Sequence, residues 1–117
     1  MTSSAKKPAA IASDLLARPI KLGTLTGYQK GSIVSKQLLN KKAGTLTLFA
    51  FDKGEGLSEH TAPYDATVLI LDGKAEIRIG GKPHKLSKGE LIIMPANIPH
   101  SVKATEHFKM LLIMIRS

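Results

Sequence analysis

The stretch that decides the fold lies between residues 54 and 104, and its two ends read GEGLSEHTAPYDATVLILDG (residues 54–73) and GELIIMPANIPHSVKA (residues 89–104). Short runs of Val, Ile, Leu and Thr alternate there with glycine, proline and asparagine. Such strand-like runs between turn residues are typical of an all-β sandwich or barrel. From Ile20 onward no run has the length and spacing of an amphipathic helix.

Two glycine-containing turns organise the centre of this stretch. Asp72-Gly73 and Gly80-Gly81 each separate two apolar runs, and both central positions of a tight hairpin turn favour residues that accept a positive φ. The pattern therefore predicts that Thr67–Leu71, Lys74–Ile79 and Lys82–Leu86 form an antiparallel meander.

Two of the apolar runs predict strands that are apolar on both faces. Ala66–Leu71 alternates without a polar face apart from Thr67, and Phe108–Ile115 contains one lysine among apolar residues. A strand of that kind left exposed invites aggregation. We therefore expect a homodimer, with burial of both strands inside a monomer as the alternative explanation.

Both ends of the stretch resemble the two motifs of the cupin superfamily, as found in small RmlC-like cupins. The resemblance covers roughly residues 31–115. It implies a double-stranded β-helix, or jelly-roll barrel, in residues 20–117. Residues 1–19 form a short N-terminal extension, in which we expect the small and polar residues 1–10 to be frayed and Ser13 or Asp14 to cap a short helix. The positions that carry it are Gly54, His60, Ala62, Ala66 and Gly73 in the first motif, and Gly89, Pro95, Asn97, His100 and Ala104 in the second.

The resemblance also implies where a metal would bind, and there the sequence departs from the family. Metal-binding cupins supply His, His, Glu and His from positions that here read His60, Ala62, Ala66 and His100. Because side chains two apart on a strand share a face, positions 60 and 62 both point into the lumen. The motif is expected to deliver His100 from a strand across the barrel. The two remaining histidines predict at most a weakly held divalent Zn, Ni, Fe or Mn, and otherwise no cofactor. Their alternative role is to hydrogen-bond each other, a backbone carbonyl or a trapped water.

A third metal ligand is hard to find in the sequence. Strand alternation turns Glu59 away from the lumen, and His84 follows a surface turn. Tyr64 and Asp65 lie in the loop before Ala66 and would serve only if that loop folded inward.

Three functions compete on these residues. The first is a binding module whose lumen, lined by His60, Ala62, Ala66, Val68 and His100, holds a small organic ligand. The alternative is a metal-dependent enzyme of the oxygenase or isomerase type that uses His60 and His100 as residual ligands. The third is a metal-free acid/base enzyme, since a histidine pKa lies near neutrality. Whether the protein is an enzyme is left open, because fold does not choose among these functions.

Several other residues carry weaker expectations. Met94, Met110 and Met114 could line an adaptable apolar pocket, although core packing is the usual role of methionine. Asn97 should adopt left-handed backbone angles in place of the family's glycine. His107 is interpreted as a solvated residue at a strand end.

Composition limits the remaining classes of function. The 117 residues contain no cysteine, which excludes disulfides, thiolate metal sites and a cysteine nucleophile. The net charge of +8 comes almost wholly from dispersed lysines, and aromatic residues make up 4%. Dispersed lysine without stacking residues argues against nucleic acid as the partner.

Membrane and export signals are also missing from the sequence pattern. No run approaches the roughly 18 apolar residues of a membrane helix, so no membrane partner is expected. Asp14 interrupts the apolar residues near the N-terminus, which therefore does not resemble a secretory signal. We accordingly expect a cytoplasmic location.

Overall fold

A computed structural model describes residues 15–116 of the chain. A short 3₁₀ helix spans Leu22–Thr24. None of the helical segments within residues 15–116 has the length and hydropathy needed to cross a bilayer. The strands are β1 (Ile33–Lys41), β2 (Gly44–Phe51), β3 (Gly56–His60), β4 (Ala66–Ile79), β5 (Lys82–Ser87), β6 (Leu91–Met94), β7 (His100–Lys103) and β8 (Phe108–Ile115).

The strands form two sheets that share β4. In the first sheet β1 pairs with β2, β2 with β8, and β8 and β6 with the first half of β4. In the second sheet the other half of β4 pairs with β5 and β7, and β7 pairs with β3. All of these pairings are antiparallel. The prediction of an all-β fold, a double-stranded β-helix of the jelly-roll type, is therefore confirmed.

The first predicted hairpin is wrong. Asp72-Gly73 does not reverse the chain, because β4 runs unbroken through it from Ala66 to Ile79. Its pairing with β8 is shifted between Ile70 and Asp72, which marks a β-bulge. Gly73 has a φ of 74°, and a Cβ there would overlap the carbonyl oxygen of His107. The Asp-Gly pair thus supplies the positive φ of a bulge, at which β4 passes from one sheet to the other.

The second predicted hairpin is confirmed. Ile79 pairs with Lys82, so Gly80-Gly81 forms the two-residue connection between β4 and β5. Both glycines have positive φ, 57° and 83°, as a hairpin turn of the favoured twist requires. This turn fixes the register of β5 against the second half of β4.

The hydrophobic core fills the space between the two sheets. Ala66, Val68 and Ile70 alternate inward along β4 and are at most 1% exposed, as the sequence pattern predicts. Beside them the rings of Phe51 and Phe108 are stacked, with centroids 4.5 Å apart and planes 6° apart. Both rings are completely buried. This part of the lumen is filled by large side chains.

The strand β8 is not a sheet edge. It pairs with β2 on one side and with β4 on the other, so its backbone groups are used within the chain. Its inner residues Phe108 and Met110 are buried, whereas Ile115 at its end is 64% exposed. The apolar pattern of this strand is thus explained largely by burial in the monomer.

The segment before β1 is tied to the outside of the barrel beside the bulge. The Tyr28 hydroxyl donates to the Asp72 carboxylate at 2.6 Å, and its ring stacks on His107 with centroids 4.0 Å apart. Lys109 places its ammonium 5.1 Å from the Tyr28 ring centroid and donates to the Gly23 carbonyl at 2.6 Å. The predicted frayed tail at residues 1–10 and the helix cap at Ser13 or Asp14 lie outside the described residues.

Candidate functional site

His60 and His100 lie side by side at one end of the lumen. His60 ends β3, His100 begins β7, and the two residues are direct partners in the β3–β7 pairing. Their rings meet edge to face, with centroids 4.4 Å apart and planes at 71°. His100 therefore comes from the strand adjacent to that of His60. The expectation that the motif delivers it from across the barrel is wrong.

The loop before β7 holds His100 in place. Asn97 has a φ of 63°, so the expected left-handed turn is confirmed. Its amide donates to the Ala62 carbonyl at 2.8 Å, which ties this loop to the segment that follows His60. The Gly80 amide donates to the Pro99 carbonyl at 2.8 Å and anchors the loop to the β4–β5 hairpin. Main-chain hydrogen bonds at Asn97 and Pro99 thus fix the loop that leads into His100.

Each imidazole is bonded to a carbonyl two residues earlier in its own segment. His60 Nδ1 lies 2.7 Å from the Ser58 carbonyl oxygen, and His100 Nδ1 lies 3.2 Å from the Ile98 carbonyl oxygen. A carbonyl oxygen only accepts, so Nδ1 must carry the proton in both rings. In the neutral form each Nε2 is then left with a free lone pair, on the side of the ring away from that carbonyl.

A cavity of about 120 Å³ opens beside the two rings. Ala62 and Ala66 line it, as the sequence predicts, and replace two metal-ligand positions of the family by methyl groups. Val68, which the sequence also predicts to line it, does not do so and instead packs in the hydrophobic core. The full lining is Leu57, His60, Ala62, Ala66, Met94, His100, Val102, Met110, Leu112 and Met114.

Three methionines are the main addition to the predicted site. Met94 of β6 and Met114 of β8 are both register partners of Ala66, on either side of β4. Met110 lies further along β8 and is 1% exposed. The sequence alone did not decide whether these methionines line a pocket or pack in the core. Their common inward position follows from strand alternation once the pairing with Ala66 is known.

Leu57 could not be placed on this wall by alternation. It is three residues before His60, so a regular strand would turn the two side chains to opposite faces. The β3–β7 register shifts between Leu57 and His60, and this irregularity brings both to the cavity. No signal in the sequence marks the shift.

The donors present do not fit the tight metal site of the family. Two of the four ligand positions are alanines, and residues 15–116 contain no group of three or more His, Asp or Glu side chains placed to hold a metal ion. The Asp65 carboxylate accepts a hydrogen bond from the Ala96 amide at 2.8 Å, and Tyr64 and Asp65 line a depression outside the barrel. The loop therefore brings no third ligand inward to join His60 and His100.

The remaining histidines stand apart from the cavity. His84 pairs with Ile77 across the β4–β5 hairpin. His107 is exposed, as predicted, and is stacked on Tyr28. Neither contributes to the lining of the cavity.

Burial lowers the pKa of His100. The desolvation of its imidazole is the largest cause, and the nearby His60 acts in the same direction, whereas the bond to the Ile98 carbonyl opposes them. His100 is only 4% exposed, and no carboxylate lines the cavity to offset the cost of charging it. The neutral imidazole is therefore the favoured form in the folded protein.

Comparison with known proteins agrees with this geometry. The family model for the cupin domain matches residues 47–116. The chain belongs to the cupin family. No curated protein matches the sequence of this cupin.

Solved structures of bacterial proteins share the fold. A conserved protein of unknown function from Streptococcus pyogenes is 35% identical, with a TM-score of 0.83 over 86% of this cupin and 89% of that chain. A cupin superfamily protein from Desulfitobacterium hafniense is 29% identical, with a TM-score of 0.82 over 86% of this chain and 93% of its own.

A longer relative contains the same unit as part of its chain. The cupin 2 conserved barrel domain protein from Leptotrichia buccalis is 48% identical, with a TM-score of 0.79 over 80% of this cupin. The match spans 46% of that chain. These similarities establish family and fold, and the ligand must be argued from the site.

Proposed function

We propose that this cupin binds a small organic molecule in its lumen. The observation that carries the proposal is the cavity of about 120 Å³ whose wall is apolar except for His60 and His100. An apolar cavity of about 150 Å³ is large enough to bind benzene in an engineered protein. A few polar groups in an apolar pocket are the usual composition of a small-molecule site.

The methionines that line the cavity make the proposal testable by NMR. Met94, Met110 and Met114 can be labelled with ¹³C at their methyl groups, and the only other methionine is Met1. We expect benzene, phenol and cyclohexanol, added singly, to shift the three cavity signals in a saturable manner. Unchanged signals at saturating concentrations of all three probes would contradict the proposal.

A variant that fills the cavity provides the control. Ala62 lines the cavity and is half-buried, and Ala96 has similar exposure but lies outside it. Ala62→Leu should weaken probe binding by at least about tenfold, because the added side chain occupies the space that the probe needs. Ala96→Leu should leave binding unchanged. Equal loss in both variants would indicate a general effect on the fold.

Use of His60 and His100 as residual metal ligands is the second candidate. The observation in its favour is that both Nε2 atoms carry free lone pairs, as metal-bound histidines require. Untagged protein can be titrated calorimetrically with Zn²⁺, Ni²⁺, Fe²⁺ and Mn²⁺. We expect no tight binding, and micromolar binding that His60→Ala or His100→Ala abolishes would favour this candidate instead.

We propose also that a second copy of the chain covers the outer face of the first sheet. Leu91, Ile93 and Ile115 are exposed by 53%, 56% and 64% on this side of the barrel, and apolar patches of this kind mark interfaces. Sedimentation equilibrium should give a dimer for the natural chain. Ile93→Lys should shift the protein toward monomer, whereas Ile98→Lys on the loop before β7 should not.

A further inference from the structure

The polar side-chain atoms that line the cavity belong to two histidines, His60 and His100. Nδ1 of His60 and of His100 donates to the Ser58 and Ile98 carbonyls, so in the neutral form of each ring Nε2 carries the free lone pair. The eight other lining residues are Leu, Val, Ala and Met, and none of these side chains has an N–H or O–H group. The described cavity wall can therefore accept a hydrogen bond from a ligand, but its side chains have none to give.

A negative charge on a ligand is not matched by this wall when both imidazoles are neutral. A buried carboxylate requires donors or a positive charge, and two neutral imidazoles would turn their lone pairs toward it. Protonating His60 or His100 could supply a charge. That step is disfavoured at His100, which is 4% exposed and has only His60 as a titratable neighbour among the residues that line the cavity.

We infer that the cavity selects a neutral molecule of about the size of phenol that donates a hydrogen bond to Nε2 of His60 or His100. The ligand class is thus a phenol or a similarly small alcohol, in preference to a hydrocarbon or a carboxylate of the same shape. The inference rests on the proposed function, since it names the ligand chemistry of that same cavity. A ligand without a donor would fill the cavity and leave both acceptors unpaired.

Three fluorinated probes of nearly equal shape test this selectivity. Para-fluorophenol, fluorobenzene and para-fluorobenzoate can each be titrated near neutral pH and followed by fluorine NMR, in which the same atom reports on all three. The phenol is neutral there, since its pKa is close to the value of about 10 for tyrosine. We expect para-fluorophenol to bind at least about tenfold more tightly than fluorobenzene, and para-fluorobenzoate not to bind.

Variants separate the donor preference from binding as such. His60→Ala and His100→Ala remove one acceptor each, so at least one of them should bring the affinity ratio of the phenol to fluorobenzene close to one. His107→Ala, which removes an exposed histidine outside the cavity, should keep the ratio of the natural chain. The ratio is used because enlargement of the cavity affects both probes.

The outcomes distinguish the two proposals. A ratio near one in the natural chain, or a ratio retained in both histidine variants, would overturn the donor inference and leave lumen binding intact. Preferential binding of para-fluorobenzoate would overturn it too, since this would require a charged imidazole. Failure of all three probes, together with unchanged methionine methyl signals, would overturn the proposed function as well.

Discussion

The two ends of the lumen are built in opposite ways. At one end the stacked rings of Phe51 and Phe108 fill the space and are completely buried. At the other end Ala62 and Ala66 leave the cavity beside His60 and His100. The family's ligand positions lie at this second end. Replacement of a large polar ligand by a methyl group without compensating bulk leaves room for a guest molecule.

The filled end is also closed from outside. Tyr28 covers the region of the Asp72-Gly73 bulge, where Gly73 pairs with Phe108. Burial raises the pKa of the Tyr28 hydroxyl, and the hydrogen bond to Asp72 acts in the same direction. The Tyr28 hydroxyl and the Asp72 carboxylate are paired with each other, whereas the other side chains that line the cavity offer no hydrogen-bond donor to His60 or His100. The filled end therefore contributes to stability, and the cavity end is the place where we propose that a ligand is recognised.

The largest expected effect is at the filled end. Phe108→Ala should lower the free energy of unfolding by about 3–5 kcal/mol, because it removes a completely buried ring and leaves a void. Leu112→Ala, at the half-buried cavity wall, should cost clearly less. Urea denaturation of both variants measures the difference. Equal losses would show that the two ends are packed alike.

The next effect comes from restoring the family's carboxylate at the cavity end. Ala66 is 1% exposed, so Ala66→Glu buries a polar group without a partner and should cost about 2 kcal/mol in the metal-free protein. Adding Ala62→His completes the family's ligand set with His60 and His100. The double variant should then bind Zn²⁺ or Ni²⁺ orders of magnitude more tightly than the natural chain, as measured by calorimetric titration.

A matched variant tests whether the gain in metal affinity depends on the position of the added carboxylate. Val68 is buried two residues beyond Ala66 but does not line the cavity. Val68→Glu combined with Ala62→His should be destabilised without any gain in metal affinity. If the Ala66 double variant binds no better than the natural chain, the positions of Ala62 and Ala66 relative to the histidines have been assigned wrongly.

The sequence could predict the fold because its signals are local and periodic. Gly80-Gly81 specified a hairpin, and the alternation of Ala66, Val68 and Ile70 specified the inner face of β4. Asp72-Gly73 misled because the same positive φ serves a hairpin and a bulge equally well. Only the partners of the flanking residues, β8 before the bulge and β5 and β7 after it, decide between the two.

The site was predictable in part for the same reason. His60, Ala62, Ala66 and His100 line one cavity, as the motif positions imply. The adjacency of His60 and His100 depends on the β3–β7 pairing, which joins residues forty positions apart and has no local signal. Which nitrogen of each imidazole can accept a hydrogen bond depends on the contacts of Nδ1 with the Ser58 and Ile98 carbonyls, and the sequence does not reveal these contacts.

A smaller effect is expected where the N-terminal segment closes the filled end. Tyr28→Phe removes the hydroxyl that donates to Asp72 at 2.6 Å but keeps the ring on His107. The cost should be about 1.5 kcal/mol, the lower end of the range for a hydrogen bond to a charged group, because the contact is only partly buried. Gln29→Ala, next to it on an exposed position, serves as the control in the same urea denaturation series. A loss in both variants of equal size would remove the assigned role of the hydroxyl.

The smallest expected effect is a change in the pH dependence of stability. The pKa of His100 is lowered in the folded protein, so between that value and the unfolded value of about 6.5 the unfolded chain binds more protons. Stability should therefore fall as the pH is lowered through this window, and the loss is complete below the folded pKa. Asp52 and Glu90, whose pKa values are also lowered in the fold by hydrogen bonds, lose their contributions only at more acidic pH. In His100→Gln the fall in stability as the pH is lowered below about 6.5 should be reduced, whereas His107→Ala should retain the slope of the natural chain. An unchanged slope in His100→Gln would mean that the His100 imidazole is protonated as readily in the folded protein as in the unfolded chain. Burial at the cavity end would then not disfavour a charged imidazole.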